Sequence, residues 1–375
     1  MKAAVIGGVV LSLLFVARPA HAQFGSILNK AQSANDAKKK IDSLSISEDE
    51  ERKIGTDVSL KVRARFGVVQ DPAVARYVTL VGRTLAAQTE RPNLKWEFIV
   101  LDTDGVNAFA SPGGYVHITR GALGLIKDES ELAGVLGHEI GHVVRKHTIN
   151  AIKKQNAEKL AVDAAAPDRG PFLDKLTNFA LDQVLEGKFD RNDELDADKF
   201  GVDIAAKLGY QPSALGDFLQ RLDDRNKDTP TRNGLFASHP DTKERIQKIR
   251  TQAGSKAGAH VQPRYAANIK YQPTDITKIA VVADGASGLT GSSGSSSDNG
   301  KKDDSKKDDG KKSGGFGLSG LKKTTSADNQ SAQVSASGGA RGLGADRDAK
   351  GGANPAIVPV TVTAAELADF KSGIA

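Results

Sequence analysis

Apolar residues recur at helical spacing through most of the first two-thirds of the chain, and the breaks in that pattern set out the elements. Ile54, Val58, Val62 and Phe66 form one face of a helix that Ser47 and Glu50 open as a capping box and Gly67 closes. Asp71-Pro72 opens a second helix, in which Val74, Tyr77, Val78, Val81 and Leu85 repeat at i, i+3, i+4, i+7 and i+11. Both helices are expected to pack on a sheet. Trp96 to Leu101 and Val106 to Ala110 are short apolar runs, the second leading into the turn signal Ser111-Pro112-Gly113-Gly114. Tyr115 to Thr119 then alternates, with Val116 and Ile118 on one face and Tyr115, His117 and Thr119 on the other. That predicts a half-buried strand, and a candidate substrate-binding edge, because an extended peptide gains main-chain hydrogen bonds along an edge whatever its sequence.

Helical spacing returns from Glu129 to His147 through Leu132, Val135, Leu136, Ile140, Val143 and Val144, with Asp128 placed to cap and Glu131 three residues on. Gly134, Gly137 and Gly141 run beside this face, each costing about 1 kcal/mol of helix propensity, which predicts a close neighbour. Helical pieces carrying Phe172, Leu176 and Phe179, broken at Pro167 to Pro171, suggest a lid or groove wall. A helix from near Asn192 to Leu208 stops at Gly209, and Pro212 opens another with Leu215, Phe218, Leu219 and Leu222 inward. After Ser238-His239-Pro240 a last core helix spans about Asp241 to Thr251.

The pattern divides the chain into an arm at 23–46, a main folded domain at 47–255, an ordered extension at 256–283, a linker at 284–352 and a tail at 353–375. The linker, rich in Gly, Ser, Lys and Asp, cannot bury enough apolar surface to offset its entropy and is expected to be disordered. In the tail, Thr363 and Glu366 form a capping box for a short helix through Phe370, readable as a docking peptide or a frayed end.

Composition adds an address. Lys2, the apolar run Ala3 to Ala17 and Ala20-His21-Ala22 before Gln23 read as a signal peptide over 1–22, so the mature chain is expected in a bacterial periplasm. No later stretch approaches the roughly 20 apolar residues of a membrane span. With no cysteine, disulfides, thiolate metal ligands and a cysteine nucleophile are excluded. The net charge of +6 falls to +4 without Lys2 and Arg18, and no basic stripe with interleaved aromatics points to nucleic acid.

The chemistry lies in His138-Glu139-Ile140-Gly141-His142, an H-E-x-x-H motif on the glycine-striped helix. Residues at i and i+4 stand about 5–6 Å apart on one face, so two imidazoles can converge on one ion while Glu139 reaches its open side. Downstream, Glu194 and Asp198 share a helix face, where one can bind zinc and the other orient an imidazole; carboxylates in a first turn are also favoured by the helix dipole alone. His117, on the outward strand face, reads as structural, and His147 as a cation suited to a helix C-terminus.

The chain resembles the zinc metallopeptidase family that includes the HtpX heat-shock protease and the CAAX prenyl proteases. The likeness covers about Ser47 to Arg250 and rests on Asn107-Ala108-Phe109-Ala110, Gly137 to His142, Phe189 to Asp198 and Ser238-His239-Pro240. It implies an α+β, mostly helical zincin-type domain with a small sheet beside the H-E-x-x-H helix. It further implies His138, His142 and Glu194 as Zn2+ ligands, Glu139 as catalytic acid/base and Asp198 as their outer support. His239, before a helix-opening proline, reads either as a turn or cap residue or, in this family context, as a catalytic candidate that stabilises the oxyanion or binds the metal as a fourth ligand; in the last case residues 228–240 would form an inhibitory gate. Asn107 and Tyr115 are the candidate substrate contacts. The family's membrane helices are missing, which brings the chain closer to a periplasmic soluble branch engaged in outer-membrane protein assembly and quality control. That branch often carries C-terminal helical repeats, whose place the linker and tail take here.

The expected function is a zinc endopeptidase acting on unfolded or misassembled envelope polypeptides, with the outer-membrane assembly machinery as a possible partner. The alternatives are an assembly chaperone with little proteolysis and a tethered adaptor whose tail does the binding.

Overall fold

Alternate residues of three short strands face two different cores, and this two-sided sheet sets the architecture. The computed structural model describes residues 45–164, 168–185, 189–227, 239, 242–275 and 354–374. The predicted signal peptide, the linker, nearly all of the N-terminal arm and, apart from His239, residues 228–240 lie outside them.

Strands β1 (Glu97–Leu101), β2 (Ala108–Ser111) and β3 (Tyr115–Thr119) form a sheet of order β1-β3-β2. β1 runs parallel to β3, with Glu97 opposite Tyr115, and β2 runs antiparallel to it, with Ser111 opposite Tyr115. The β2–β3 hairpin closes through a single 3-10 turn at Pro112–Gly114. Gly113 is required there: its φ is +71°, and a Cβ would lie 2.6 Å from the Cα of Arg52.

One sheet face, with Phe98, Val100, Ala108, Ala110, Val116 and Ile118, packs in the larger core. Around it lie α2 (Pro72–Ala86), α4 (Glu129–Val144), α7 (Arg191–Lys207), α8 (Ala214–Asn226), α9 (Thr242–Ala253) and α10 (Gln262–Asn268), while α3 (Arg120–Leu125) follows β3 directly. The other face, with Ile99, Leu101, Phe109 and Tyr115, packs in a second core against α1 (Glu48–Phe66), α5 (His147–Ala164) and α6 (Gly170–Leu185). The capping boxes hold as predicted: Glu50 N donates to Ser47 Oγ and Ser47 N to Glu50 Oε2 at the start of α1. No helix among the described residues is long and apolar enough to cross a membrane.

Two expectations are corrected. β3 is buried on both faces, because α1, α5 and α6 cover the side expected to meet solvent. It is also the central strand, so both of its edges are already paired and the candidate edge for a peptide passes to β2. The helices α5 and α6, read as a lid or groove wall, form that second-core wall.

Candidate metal centre

The metal-side helix α4 starts with Asp128 Oδ1 accepting from Glu131 N at 2.9 Å, as its sequence signals. Its glycines let α7 and α8 approach the backbone: a Cβ on Gly137 would lie 3.0 Å from the Cα of Gly201, and one on Gly134 would lie 2.8 Å from the Cβ of Leu215. This close approach brings Glu194, in the first turn of α7, against the histidines of α4. Asp190 caps α7 by accepting from the backbone N–H groups of Asn192 and Asp193, fixing that turn.

His138, His142, Glu194 and His239, all buried, each offer a ligand atom within 4.8 Å of the others. His138 Nε2 stands 3.1 Å from His142 Nε2 and 3.3 Å from His239 Nδ1. Glu194 Oε1 lies 2.9 Å from His239 Nδ1 and 3.5 Å from His142 Nε2. An ion bonded tetrahedrally to imidazoles at about 2.0–2.1 Å would hold its donors about 3.3 Å apart, so the set fits a metal without rearrangement. Three imidazoles and a carboxylate, with no thiolate available, suit zinc.

Glu139 faces the same space. Both its oxygens are buried without a hydrogen-bond partner, the nearer 3.8 Å from His239 Nε2, which is also unpartnered. A buried carboxylate in this condition marks the place of a partner that is not protein. Burial raises its pKa, an effect that His239 and His142 only partly offset.

The outer contacts orient the donors. His138 Nδ1 lies 2.9 Å from Asp198 Oδ1, and His142 Nδ1 lies 3.0 Å from His147 Nδ1, so both imidazoles turn Nε2 inward. Arg245 of α9, only 2% exposed, donates Nε and Nη2 to Asp198 at 2.8 Å each and sets Nη1 2.8 Å from Glu194 Oε2. Burial pushes the His138 and His142 pKa values down, favouring the neutral imidazoles that ligation needs. It works against charge on Glu194 and Asp198 too, but there it is outweighed. His239 and Arg245 hold Glu194 well below the ordinary range, and Arg245 holds Asp198 at about 2.

The structure thus brings together His138, Glu139, His142, Glu194, Asp198 and His239. It does not bring Tyr115 to them. That ring faces α1, with the Arg52 guanidinium 3.9 Å over it and its hydroxyl 2.9 Å from Thr56, because it points into the second core. Asn107 sits just before β2, where its Oδ1 accepts from Ala108 N at 2.9 Å and its carbonyl from Thr119 N at 3.0 Å. Sequence reasoning missed Arg245 and the contact of His147 with His142. It also missed the Phe189 ring, whose centroid lies 4.2 Å from that of His142.

A mostly helical domain with a small sheet thus carries a buried H-E-x-x-H cluster whose donors could hold a metal ion. The comparisons place it further. Residues 72–253 match the family described as Peptidase family M48. The chain is 28% identical over 219 residues to the beta-barrel assembly-enhancing protease of Yersinia pestis, covering 56% of this chain and 45% of the relative. It is 30% identical over 207 residues to the mitochondrial metalloendopeptidase OMA1 of Schizosaccharomyces pombe, covering 54% and 61%. With the metalloprotease YcaL of Escherichia coli (strain K12) it shares 33% over 157 residues, covering 41% and 60%. The chain therefore spans about half of the first of these relatives and about three-fifths of the other two.

Proposed function

We propose that the chain is a zinc-dependent endopeptidase of the bacterial cell envelope, cutting unfolded or misassembled envelope polypeptides. The carrying observation is the buried, unpartnered Glu139 carboxylate facing a cluster of four metal donors. His138, His142 and Glu194 would hold the ion, with Asp198 and Arg245 fixing His138 and Glu194. When bound, zinc would supply Lewis acidity toward a water and toward the scissile carbonyl. Glu139 takes the proton from the attacking water and delivers it to the leaving amine nitrogen, a role suited to a carboxylate whose pKa is raised by burial.

His239 closes the site in this arrangement: its Nδ1 meets Glu194 and its Nε2 faces Glu139. With every donor 4% exposed or less, a substrate must displace His239, which supports the gating role over a purely oxyanion-stabilising one. A peptide would then lie along β2, the edge strand beside α4, with Asn107 at its start. The likeness to beta-barrel assembly-enhancing proteases supports the envelope address and substrates in an assembly pathway.

The test is cleavage of a denatured protein by the zinc-loaded chain beside Glu139→Gln at matched metal content. Cleavage by the wild type alone is expected. Equal cleavage by both would overturn the assignment of Glu139, and no cleavage by either, even with His239→Ala, would favour an assembly chaperone with little proteolysis.

A further inference from the structure

The C-terminal residues return to the catalytic domain as a bound peptide would. From 354 to 363 the segment forms no regular helix or strand, and the domain donates hydrogen bonds to the carbonyls of residues 354, 355, 356 and 361. Val68 N donates to Asn354 O at 2.7 Å, the Arg63 guanidinium donates to Pro355 O, Gln70 Nε2 donates to Ala356 O at 2.9 Å and Arg76 Nη1 donates to Thr361 O at 3.1 Å. Helix α11 (Ala364–Ser372) follows, opened by the Thr363–Glu366 capping box, and Glu366 also pairs with Arg76.

Two side chains of the segment are buried, and both lie toward its end. Phe370 meets the Tyr77 ring edge-on at a centroid distance of 6.3 Å, while the Arg264 guanidinium lies 4.0 Å over the Phe370 ring and donates Nη1 to its carbonyl at 3.1 Å. Ile374, 1% exposed, lies beside Gly209. The remaining residues are exposed or half-buried. Main-chain bonds along this stretch, followed by an aromatic anchor in a charged aromatic notch through which Phe370 and Ile374 join the larger core, form a peptide-recognition pattern.

We propose that the face made by Val68 to Gln70, α2 and α10 is a peptide-binding seat on the catalytic domain, and that its occupant is the chain's own segment 354–374, anchored by Phe370 and Ile374. Residues 276–353 tether the segment to the domain, so in an isolated molecule it fills the seat at high effective concentration. Its floor leads to the metal-bearing helix. Arg264, which stacks on Phe370, also donates Nε to Glu129 Oε2 at 2.6 Å. Tyr77 and Tyr210 donate their hydroxyls to the same carboxylate at 2.8 and 2.6 Å. Glu129 is the first residue of α4 and is wholly buried. A seated tail therefore braces the N-terminal end of the helix that carries His138, Glu139 and His142.

The experiment uses the full chain and a labelled peptide spanning Asn354 to Ala375, with hydrogen exchange followed in parallel. In the wild type, 354–374 should be protected and the peptide should bind poorly, because the seat is filled. In a full chain carrying Phe370→Ala and Ile374→Asp, the two tail residues that join the larger core, that protection should be lost. The wild-type peptide should then bind about 30-fold or more tighter than to the wild-type chain, and a peptide with the same two changes should bind neither chain. The proposal is overturned if the altered tail stays protected, since the two anchors then do not read the seat. It is equally overturned if the tail is released and the wild-type peptide binds the vacated chain no better than the wild-type chain.

Discussion

The Nδ1 of His147 lies 3.0 Å from the Nδ1 of His142, so the second histidine of the H-E-x-x-H pair is held from behind by a third imidazole. With His142 Nε2 turned to the cluster, its Nδ1 carries the proton and donates to His147 Nδ1. His147 then presents its own N–H at Nε2, 3.4 Å from Asp196 Oδ2 and 3.7 Å from Asp193 Oδ1. The carboxylates of α7 thus reach His142 through His147, while Asp198 reaches His138 directly.

Replacing His147 with alanine frees the His142 ring to rotate. We expect metal affinity to fall by about 10- to 100-fold, measured by chelator competition on the purified chain, with thermal stability of the loaded protein falling in step. Unchanged affinity would reduce His147 to a packing role.

Arg245 spans Glu194 and Asp198 with one guanidinium in a place that is 2% exposed. Arg245→Ala leaves two buried carboxylates uncompensated and should cost about 3–5 kcal/mol, read as a lower urea midpoint in the metal-free chain. Arg245→Lys should recover only part of this, because a point charge cannot reproduce the fork. Equal stability of the alanine variant and the wild type would show the two carboxylates to be held by their imidazoles alone.

Local signals carried far in this chain, and pairing between distant segments carried less. Asp128, Ser47 and Asp71 cap the helices their positions announced, and the glycine stripe of α4 found the close neighbour it implied in α7 and α8. The Glu194–Asp198 spacing was legible because both side chains share one turn. Arg245 was not, since its helix reads as polar and its partners are 47 and 51 residues away; the available signal was its place on the face that also carries Ile246 and Ile249. The central position of β3 was hidden for a related reason: alternation reports which residues share a face but not how many strands flank them or what covers the second face. Glu129, which the spacing marked only as the start of the helix, is the buried acceptor of two tyrosines and an arginine drawn from three other parts of the chain.

His117 supplies a pH dependence away from the metal. Burial, reinforced by the charge of Arg63, lowers its pKa to about 3, and its Nε2 sits 3.0 Å from Ser59 Oγ. Between that value and the unfolded value near 6.5 the unfolded chain binds a proton that the native chain does not. The stability contributed by neutral His117 is therefore complete above about pH 6.5 and declines by about 1.4 kcal/mol per pH unit as pH falls below it. His117→Gln should flatten this slope in urea titrations between about pH 6.5 and pH 4. An unaltered slope would place the acid sensitivity elsewhere.

Gly201 sets the distance between the two helices that supply the metal donors. A Cβ there would lie 2.7 Å from the backbone nitrogen of His138 and 2.8 Å from the carbonyl carbon of Gly137. Backbone atoms in the middle of a buried helix cannot step aside as a side-chain tip can, so Gly201→Ala must push α7 away from α4. Overpacking of this kind costs about 1–3 kcal/mol, partly offset by the better helix propensity of alanine. The larger effect should fall on the site, because Glu194 rides on α7 and His138 and His142 on α4, and donors held about 3.3 Å apart lose an ion when one side withdraws. Gly201→Ala should therefore lose metal affinity and proteolysis while remaining folded, measured by chelator competition and circular dichroism on the same sample. Wild-type affinity in a folded Gly201→Ala chain would mean that α7 can slide rather than separate, and that the spacing of the donors does not depend on this contact.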